Sequence, residues 1–490
     1  MTHLSSHDLE ALRMVLVGRV IAPDDPDYDT ARMLWNGDID RHPAVIARCV
    51  SAADIAAALH FARERTMEIS VRGGGHAFSG DGISHGGLVI DLSAMRDVSV
   101  DAAARLVRVG GGATVAELDA ATQAYGLAVP VGSISHLGVA GMTLGGGIGW
   151  LTHQAGLSID SLVSVEMVLA DGRCLRASAQ EHADLFWAVR GGGGNFGIVT
   201  AFEFRLHPVG PEVHFGLFFW GLEQGEQMLR LARDVVPTLP TAAGAHIVLG
   251  LCAPPAPFVP QRYHLTPGCL LAVVGFSSAE EHARLVAPIR EALPALFELA
   301  TSMPYVALQQ TFDETAPWGI LGYQESIYLE ELTDDAIAVI IQHLPRKSSP
   351  MSFCPVFRLD GAYSAVGDDD TAFGGGRAPR YVVNIVGIGS TPEVLAADRA
   401  WVRSVWDALR PFAADSGGYL NFLTDDDEDR VRASYGPVKY NRLARIKAEY
   451  DPDNVFRLNA NIPPAPQAVP QPRSARTAAE RDARARHHAT

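Results

Sequence analysis

Three consecutive glycines followed by a histidine constrain the folding of this chain more than any other segment. Residues 71–80 read VRGGGHAFSG, so one turn of the backbone carries no Cβ atoms. Backbone N–H groups in such a turn can approach a ligand closely, and φ can become positive. The segment lacks the G-x-x-x-x-G-K-[ST] pattern of phosphate loops and the G-x-G-x-x-G spacing of dinucleotide folds. It therefore predicts a different loop, which wraps a dinucleotide and presents the imidazole of His76 to it.

Two further glycine blocks and two C-terminal motifs follow in a regular order. Residues 132–150 read GSISHLGVAGMTLGGGIGW, and residues 190–199 read RGGGGNFGIV. Nearer the end, residues 419–422 read YLNF and residues 450–462 read YDPDNVFRLNANI. In this order and spacing, the segments resemble the FAD-linked oxidases of the vanillyl-alcohol oxidase and berberine-bridge-enzyme type. The resemblance covers roughly residues 28 to 464, nearly all of the chain that is predicted to fold.

The resemblance implies an α+β architecture, the two-domain PCMH-type FAD-binding fold with a discontinuous FAD-binding domain. We expect residues 1–206 to form the first part of that domain and residues 411–464 to form its return segment. Residues 207–410 are expected to form a substrate-binding domain, an antiparallel sheet covered by helices. Apolar strand patterns near 215–220 and 381–386, and an amphipathic stretch at 228–236, agree with this division. Residues 465–490 are rich in Ala, Pro and Arg and are expected to be disordered.

Composition and charge favour a globular protein that does not bind nucleic acid. The chain has 490 residues, 48% hydrophobic and 20% charged, which is enough for two domains of ordinary size. Its net charge of −16 argues against nucleic acid or an anionic membrane surface as a partner. This charge does not oppose FAD, because two phosphates need only local donors. No run approaches ~18 consecutive apolar residues, so no membrane-spanning helix is expected.

The cysteines and the N-terminal segment favour a cytoplasmic location. Five scattered cysteines without a C-x-x-C pair indicate reduced thiols rather than a disulfide framework. Residues 1–19 contain acidic and basic side chains and lack the apolar core of a signal peptide. No neighbouring set of ligands indicates a metal site, and the acidic runs at 368–370 and 425–429 are interpreted as solvated loops. The sequence gives no indication of the oligomeric state.

His76 is the candidate for attachment of the cofactor. A histidine at this position could, from its residue type alone, equally cap a turn or bind phosphate. The resemblance implies instead a covalent bond from its imidazole to the 8α carbon of FAD, which makes the flavin a stronger oxidant. Relatives that attach FAD twice use a cysteine where this chain has Ile134, so a single attachment through His76 is predicted. The other expected FAD-binding residues are Arg72, Gly73, Gly74, Gly75, Ser79, Gly80, Ser133, Ser135, Leu137, Gly138, Gly141, Thr143, Gly145, Gly146, Gly147, Gly197, Ile198, Val199, Asn459 and Asn461.

The side chain at position 137 is relevant to which electron acceptor reoxidises the flavin. The resemblance implies that this position lies near the flavin face that dioxygen approaches, where a bulky side chain hinders the approach. Dioxygen, reduced to hydrogen peroxide, is the expected acceptor, and a dehydrogenase that uses another acceptor is the alternative. A flavin- or ligand-sequestering protein without turnover is a third interpretation.

Tyr419 and Asn421 are the first candidates for catalysis. They alternate with apolar residues, so a strand would place both polar side chains on one face. The resemblance implies that the tyrosine accepts the proton of a substrate hydroxyl while hydride passes to flavin N5. An unperturbed phenol titrates near ~10, so this role requires nearby positive charge or tight coupling to hydride departure. The alternative is a half-buried tyrosine that only forms a structural hydrogen bond.

Asp360 and Tyr363 are further catalytic candidates, expected with Glu325 on the wall of the substrate site. Residues 357–363 lack the Lys/Glu alternation of the nicotine-oxidising relatives, so that substrate is not expected. Structural or solvated roles for these three side chains remain open. A small-molecule substrate is expected, and the sequence does not distinguish an alcohol, a sugar, an amine or a natural-product intermediate.

Overall fold

The computed structural model describes residues 4–414, 417–424 and 428–466. Their strands are β1 (Arg19–Ile21), β2 (Val45–Arg48), β3 (Ile69–Arg72), β4 (Leu88–Asp91), β5 (Val98–Asp101), β6 (Leu106–Gly110), β7 (Leu127–Ala128), β8 (Leu162–Val168), β9 (Cys174–Ser178), β10 (Ile198–Arg205), β11 (His207–Pro208), β12 (Glu212–Gly221), β13 (Ala243–Cys252), β14 (Pro267–Gly275), β15 (Phe297–Pro304), β16 (Leu321–Leu329), β17 (Cys354–Leu359) and β18 (Arg380–Gly389). Their helices are α1 (Ser6–Val15), α2 (Tyr28–Arg32), α3 (Ala52–Glu64), α4 (Val115–Gln123), α5 (Val139–Gly145), α6 (Thr152–Ala155), α7 (Ala183–Val189), α8 (Gly225–Val235), α9 (Ala279–Ala292), α10 (Tyr305–Gln309), α11 (Asp334–His343), α12 (Pro392–Leu409) and α13 (Glu428–Tyr450).

A small four-stranded sheet positions the first glycine loop. Its order is β1-β2-β4-β3, with β2, β4 and β3 parallel. Helix α3 connects β2 to β3, and Ser51 caps it by accepting a hydrogen bond from the Asp54 N–H at 3.2 Å. The glycine loop begins where β3 ends, at the carboxyl edge of the parallel strands.

The second sheet is antiparallel and has five strands in the order β5-β6-β10-β8-β9, and its strand β10 begins at Ile198, near the end of the third glycine block. Residues 110–112 pack so closely that a Cβ on Gly112 would lie 1.8 Å from the carbonyl oxygen of Leu92. The glycines at 110–112 therefore serve close packing. The return segment is anchored by Lys447, whose buried ammonium donates to the carbonyls of Asn195 and Phe456 at 2.6 and 2.7 Å.

The third layer is a seven-stranded antiparallel sheet in the order β15-β12-β14-β13-β17-β18-β16. Alternate side chains sort between its two faces. Apolar residues such as Ile247, Val383 and Ile385 form a core with helices α8, α9, α11 and α12 on one face. The residues next to them in sequence, such as Val248 and Asn384, lie on the opposite face and line the cavity beside the glycine loops. On the other face the short helices α6 and α10 contact β13, β12 and β15, and the part formed by β16, β17 and β18 is left to form a site.

The observed architecture confirms the predicted α+β class. Ala465 still donates a hydrogen bond to the carbonyl of Ala444 at 2.8 Å, so the ordered chain extends past residue 464. The rest of the predicted tail, residues 467–490, lies outside the described residues, as do residues 425–427 of the acidic run. None of the five cysteines is in a disulfide bond. Within the described ranges, no helix combines the length and the apolar character that a membrane span requires.

Candidate active site

A cavity of about 430 Å³ lies where the three glycine blocks meet the uncovered face of the seven-stranded sheet. Its volume is that of an ordinary small-molecule or cofactor site. Segments 71–76, 132–145, 193–199 and 459–460 contribute to one wall, and strands β13, β16, β17 and β18 contribute to the other. The two halves of the fold therefore enclose one site between them.

The first and second glycine blocks touch backbone to backbone. A Cβ on Gly74 would lie 2.4 Å from the backbone nitrogen of Gly138, and a Cβ on Gly138 would lie 2.5 Å from the nitrogen of Gly74. Real Cβ atoms do not come this close to backbone, so both positions require glycine. Gly75 follows with φ at +70°, a left-handed conformation that glycine adopts without strain. The crossing holds His76 at the edge of the cavity.

Two features of this wall fit a bound FAD. A Cβ on Gly141, in α5, would meet nothing within 4 Å, so the missing side chain leaves open space along the cavity. The Nε of Arg72 is buried without a hydrogen-bond partner, although the same side chain donates to the carbonyl of Ala31. A buried guanidinium N–H needs an acceptor, and the phosphate or ring oxygens of FAD supply acceptors of the right kind.

His76 is held as a neutral imidazole. Its ring stacks on Trp35 with the centroids 4.5 Å apart, and its Nε2 lies 2.8 Å from Nδ1 of His136. Burial and the neighbouring His136 lower the pKa of His76 to about 3. The lone pair of a ring nitrogen is thus available at neutral pH, which is the state that a nucleophile requires.

Tyr419 is fully buried, and hydrogen-bond donors point at its oxygen. The backbone N–H of Gly147 donates to the phenol oxygen at 2.7 Å, and Nδ2 of Asn421 donates at 2.8 Å. Burial raises the pKa of Tyr419 to about 12, although these donors and the N–H of Ile148 act in the opposite direction. The predicted strand is wrong here, because residues 420–422 form a short 3₁₀ helix. A tight turn brings the two side chains together where strand alternation was expected to do so.

Most, but not all, of the residues predicted from the sequence to bind FAD or to act in catalysis line the cavity. Those on its wall are Arg72, Gly73, Gly74, Gly75, His76, Ser79, Ser133, Leu137, Gly138, Gly141, Gly145, Gly197, Ile198, Val199, Asn459, Tyr419 and Asn421. Those that the structure places away from the wall are Gly80, Ser135, Thr143, Gly146, Gly147 and Asn461.

The six outlying positions have structural surroundings of their own. Gly80 packs against Ile39, and Gly147 packs against Ser158, where an added Cβ would lie 1.9 Å from the hydroxyl. The hydroxyl of Ser135 donates to the carboxylate of Asp313 at 2.5 Å. A Cβ on Gly146 would meet the rings of Phe373 and Tyr419. The hydroxyl of Thr143 and Oδ1 of Asn461 are buried without a hydrogen-bond partner. None of the six residues is on the wall of the cavity.

Asp360 and Tyr363 were predicted as catalytic residues on the wall of the substrate site, and the structure differs, because neither lines the cavity. Asp360 binds Nδ1 of His153 at 2.6 Å and Nε of Arg358 at 2.9 Å, beside a small pocket that adjoins the cavity at Ile148, His246 and Phe357. Tyr363 is buried, and its hydroxyl donates to the carbonyl of Gly376. Glu325, expected on the wall with them, points to the helical side of the sheet and pairs with Arg430. All three side chains are hydrogen-bonded or ion-paired at positions that do not line the cavity.

Gln324 and Asn384 are wall residues that the sequence analysis missed. Gln324 Nε2 donates to the carbonyl of Asn421 at 3.1 Å, so its Oε1 faces Asn384, whose Nδ2 donates to it at 3.1 Å. Asn384 Oδ1 is then left buried without a partner. The signal was present, since a lone Asn interrupts the apolar strand β18, but only the sheet register shows which face it occupies. No cluster of three potential metal ligands forms among the residues that the structure describes.

Comparison with known proteins agrees with this geometry. Residues 43–178 match the family model described as FAD binding domain, and residues 418–463 match that described as berberine and berberine like. The FAD-linked oxidoreductase YgaK of Bacillus subtilis is 31% identical over 92% of this chain and 97% of its own length. The (R)-6-hydroxynicotine oxidase of Paenarthrobacter nicotinovorans is 30% identical over 93% of this chain and 98% of its own length.

Solved structures give the same result. The 6-hydroxy-D-nicotine oxidase of Arthrobacter nicotinovorans superimposes with a TM-score of 0.80 at 26% identity, covering 92% of this chain and 98% of that one. The berberine-bridge-enzyme-like protein 1 of Physcomitrella patens, at 23% identity and a TM-score of 0.83, shares the fold and covers 94% of this chain and 99% of its own. The glycine-lined cavity wall, the sheet that faces it and these matches lead to one assignment. The chain is an enzyme of the FAD-linked oxidoreductases and belongs to their berberine-bridge-enzyme-like family.

Proposed function

We propose that this enzyme oxidises a small, neutral alcohol or amine and passes the electrons to dioxygen, with release of hydrogen peroxide. The observation that carries the proposal is the phenol of Tyr419, which lies on the cavity wall with donors directed at its oxygen. Bound FAD would supply the hydride acceptor. The glycine loops and Arg72 would hold FAD, and the face of β16, β17 and β18 would hold the substrate.

Tyr419 is the proposed acceptor of the substrate proton. The N–H of Gly147 and the amide of Asn421 stabilise a negative charge on its oxygen. Because burial still raises its pKa to about 12, a free phenolate is a minor species at neutral pH. The proton therefore leaves the substrate in step with the hydride and not before it. Asn421 also donates to the carbonyl of Met142 at 2.8 Å, which keeps its amide pointed at the phenol.

The substrate wall supports a neutral ligand. The side chains that the sheet presents to the cavity are mostly apolar, and its carboxamides come from Gln324 and Asn384. Among the described residues lining this wall, none is a carboxylate, a lysine or an arginine. Among the described residues of the seven-stranded sheet that line the cavity, the titratable side chain is that of His246, and its burial lowers its pKa to about 3 and keeps it uncharged. A charged ligand would lose its hydration without gaining an opposite charge here.

A panel of alcohols, amines and sugars tests the proposed reaction. Under anaerobic conditions, a neutral alcohol, or a weakly basic amine that is uncharged at the assay pH, is expected to bleach the flavin absorbance, and charged analogues are expected to do so far more slowly. Mixing the reduced enzyme with air should then restore the absorbance within seconds and form hydrogen peroxide. Bleaching by none of these compounds would contradict the proposal.

Leu137 supports a second candidate, a dehydrogenase. Its bulky side chain lies on the cavity wall, where the family resemblance expects dioxygen to approach. If the bleached enzyme stays reduced in air for minutes but is reoxidised rapidly by a quinone, the dehydrogenase is the correct assignment. Leu137→Val is the matched variant, and faster reoxidation of this variant in air would identify the side chain as the obstacle.

We further propose that His76 attaches FAD covalently and alone, since Ile134 offers no thiol. The His76→Ala variant is expected to lose all flavin fluorescence that migrates with the denatured polypeptide, because no other nucleophile is predicted at this wall. Intact-mass measurement checks the same point. A variant that binds FAD reversibly while the wild type holds it through denaturation confirms the attachment, and wild type that releases all its flavin on denaturation contradicts it.

A further inference from the structure

We propose that His136 is a positioning residue for the attachment of FAD: it takes up the Nε2 proton of His76 and leaves Nδ1 of His76 as the nucleophile. The inference rests on the FAD binding of the proposed function and assigns a role to a histidine that the sequence left without one. Three observations support it, namely the packing that fixes the ring of His76, its direct contact with His136, and the anchoring of the neighbouring Ser135 by Asp313.

The ring of His76 cannot turn freely. Trp35 stacks on one face at an interplanar angle of 17°, and the ring of Trp318 approaches edge-on with the centroids 6.2 Å apart. The indole N–H of Trp35 donates to the carbonyl of Ala316 at 2.7 Å, which fixes the stacking partner in turn. The nitrogen that faces His136 is therefore set by packing, and it is Nε2.

The contact between the two imidazoles is short enough to carry a proton. Nε2 of His76 lies 2.8 Å from Nδ1 of His136, within ordinary hydrogen-bond distance, and one of these nitrogens must hold the shared hydrogen. Both rings are neutral at physiological pH, since burial lowers the pKa of His136 as well as that of His76. The question is which tautomer each ring adopts.

The contact identifies the nitrogen of His76 that is left for the cofactor. Nε2 of His76 faces His136, so Nδ1 is the ring nitrogen that does not take part in this contact. Proton transfer to His136 requires the tautomer in which Nε2 of His76 donates and Nδ1 of His136 accepts. In that tautomer the lone pair of His76 lies on Nδ1.

Asp313 anchors this arrangement from the substrate-binding half of the chain. Its carboxylate accepts hydrogen bonds from the backbone N–H of Ser135 at 2.8 Å and from the Ser135 hydroxyl at 2.5 Å. The residue next to His136 is thus held from across the domain boundary. Asp313 also favours the proton on His136, because its negative charge raises the pKa of that ring.

The attachment balances as follows. One C–H bond of the 8α methyl group and the Nε2–H bond of His76 break, and a bond forms between that carbon and Nδ1. His136 holds the Nε2 proton as the bond forms. The two electrons and two protons released pass through the flavin to dioxygen, which leaves as hydrogen peroxide.

The test compares attachment rates in full-length protein produced with riboflavin limitation and then mixed with FAD in air. The variants are His136→Leu, which removes the acceptor, and His136→Asn, whose Oδ1 can replace Nδ1. The matched control is His60→Leu, an exposed histidine on α3 that pairs only with Glu64. Intact mass and in-gel flavin fluorescence follow the covalent fraction, and equilibrium dialysis follows reversible binding.

We expect His136→Leu to attach FAD about 100-fold more slowly than wild type, with His136→Asn intermediate and His60→Leu unchanged. Reversible binding should be the same in all four. NMR of the flavin peptide with ¹⁵N-labelled histidine should show the bond at Nδ1. Attachment of His136→Leu at the wild-type rate, or a bond at Nε2, would overturn the inference.

Other outcomes separate this inference from the proposals on which it rests. Wild type that binds FAD but never attaches it overturns both the covalent bond and the role of His136, and leaves the oxidoreductase intact. Wild type that binds no FAD overturns the proposed function itself. If His136→Leu does not unfold cooperatively, the rate of His136→Asn and the attached nitrogen in wild type decide.

Discussion

Replacing Tyr419 by phenylalanine is expected to slow anaerobic reduction of the flavin about 100-fold or more. The phenol is the proposed proton acceptor, and phenylalanine keeps the ring but removes the oxygen. The N–H of Gly147 and one N–H of Asn421 lose their acceptor, so the free energy of unfolding should also fall by about 1–3 kcal/mol. Stopped-flow absorbance measures the rate, and thermal unfolding measures the stability.

Tyr435→Phe is the matched control for this prediction. Tyr435 is as deeply buried as Tyr419, and its hydroxyl donates to the carbonyl of Gly191 at 3.0 Å, but it does not line the cavity. Burial raises the pKa of both phenols. The control should lose stability with little change in the reduction rate. A Tyr419→Phe variant that reduces its flavin as fast as Tyr435→Phe would exclude the phenol from proton transfer.

Replacing Gly74 by alanine is expected to abolish FAD binding and to destabilise the protein by about 3 kcal/mol. The new Cβ would stand 2.4 Å from the backbone nitrogen of Gly138, so the two loops would have to separate. Backbone atoms cannot move aside as the end of a flexible side chain can. The separation of the two loops would therefore displace His76 and widen the FAD-binding part of the cavity. Denaturant unfolding measures the stability, and flavin absorbance of the purified protein measures the binding.

The Gly141→Ala variant distinguishes an effect on FAD binding from an effect on folding stability. An added Cβ there meets nothing within 4 Å, and alanine in a helix is about 0.5–1 kcal/mol more stable than glycine. We therefore expect unchanged or higher stability without FAD, but weaker FAD binding, because the methyl group occupies space along the cavity. Equal FAD binding by Gly141→Ala and wild type would show that this wall does not contact the cofactor.

Much of the fold was predictable because local sequence dictates local backbone. The apolar patterns near 215–220 and 381–386 predict strands, and β12 and β18 form there; the amphipathic stretch at 228–236 largely coincides with helix α8. The strand predicted at Tyr419 is wrong, because polar–apolar alternation over four residues fits a 3₁₀ turn equally well. The local pattern of polar and apolar residues also could not predict where the side chain of Asp360 lies, because its partner His153 comes from a distant part of the chain.

The sequence by itself determined which backbone segments carry no side chains, and hence where a dinucleotide could be clasped, because glycine acts through its own φ and its own missing Cβ. Only the tertiary structure decided which side chains reach that clasp. His136 meets His76, Asn384 turns its free oxygen to the cavity, and Tyr363 is directed away from it. Such contacts depend on sheet register and on loops crossing between domains, and neither is encoded in any short stretch of residues.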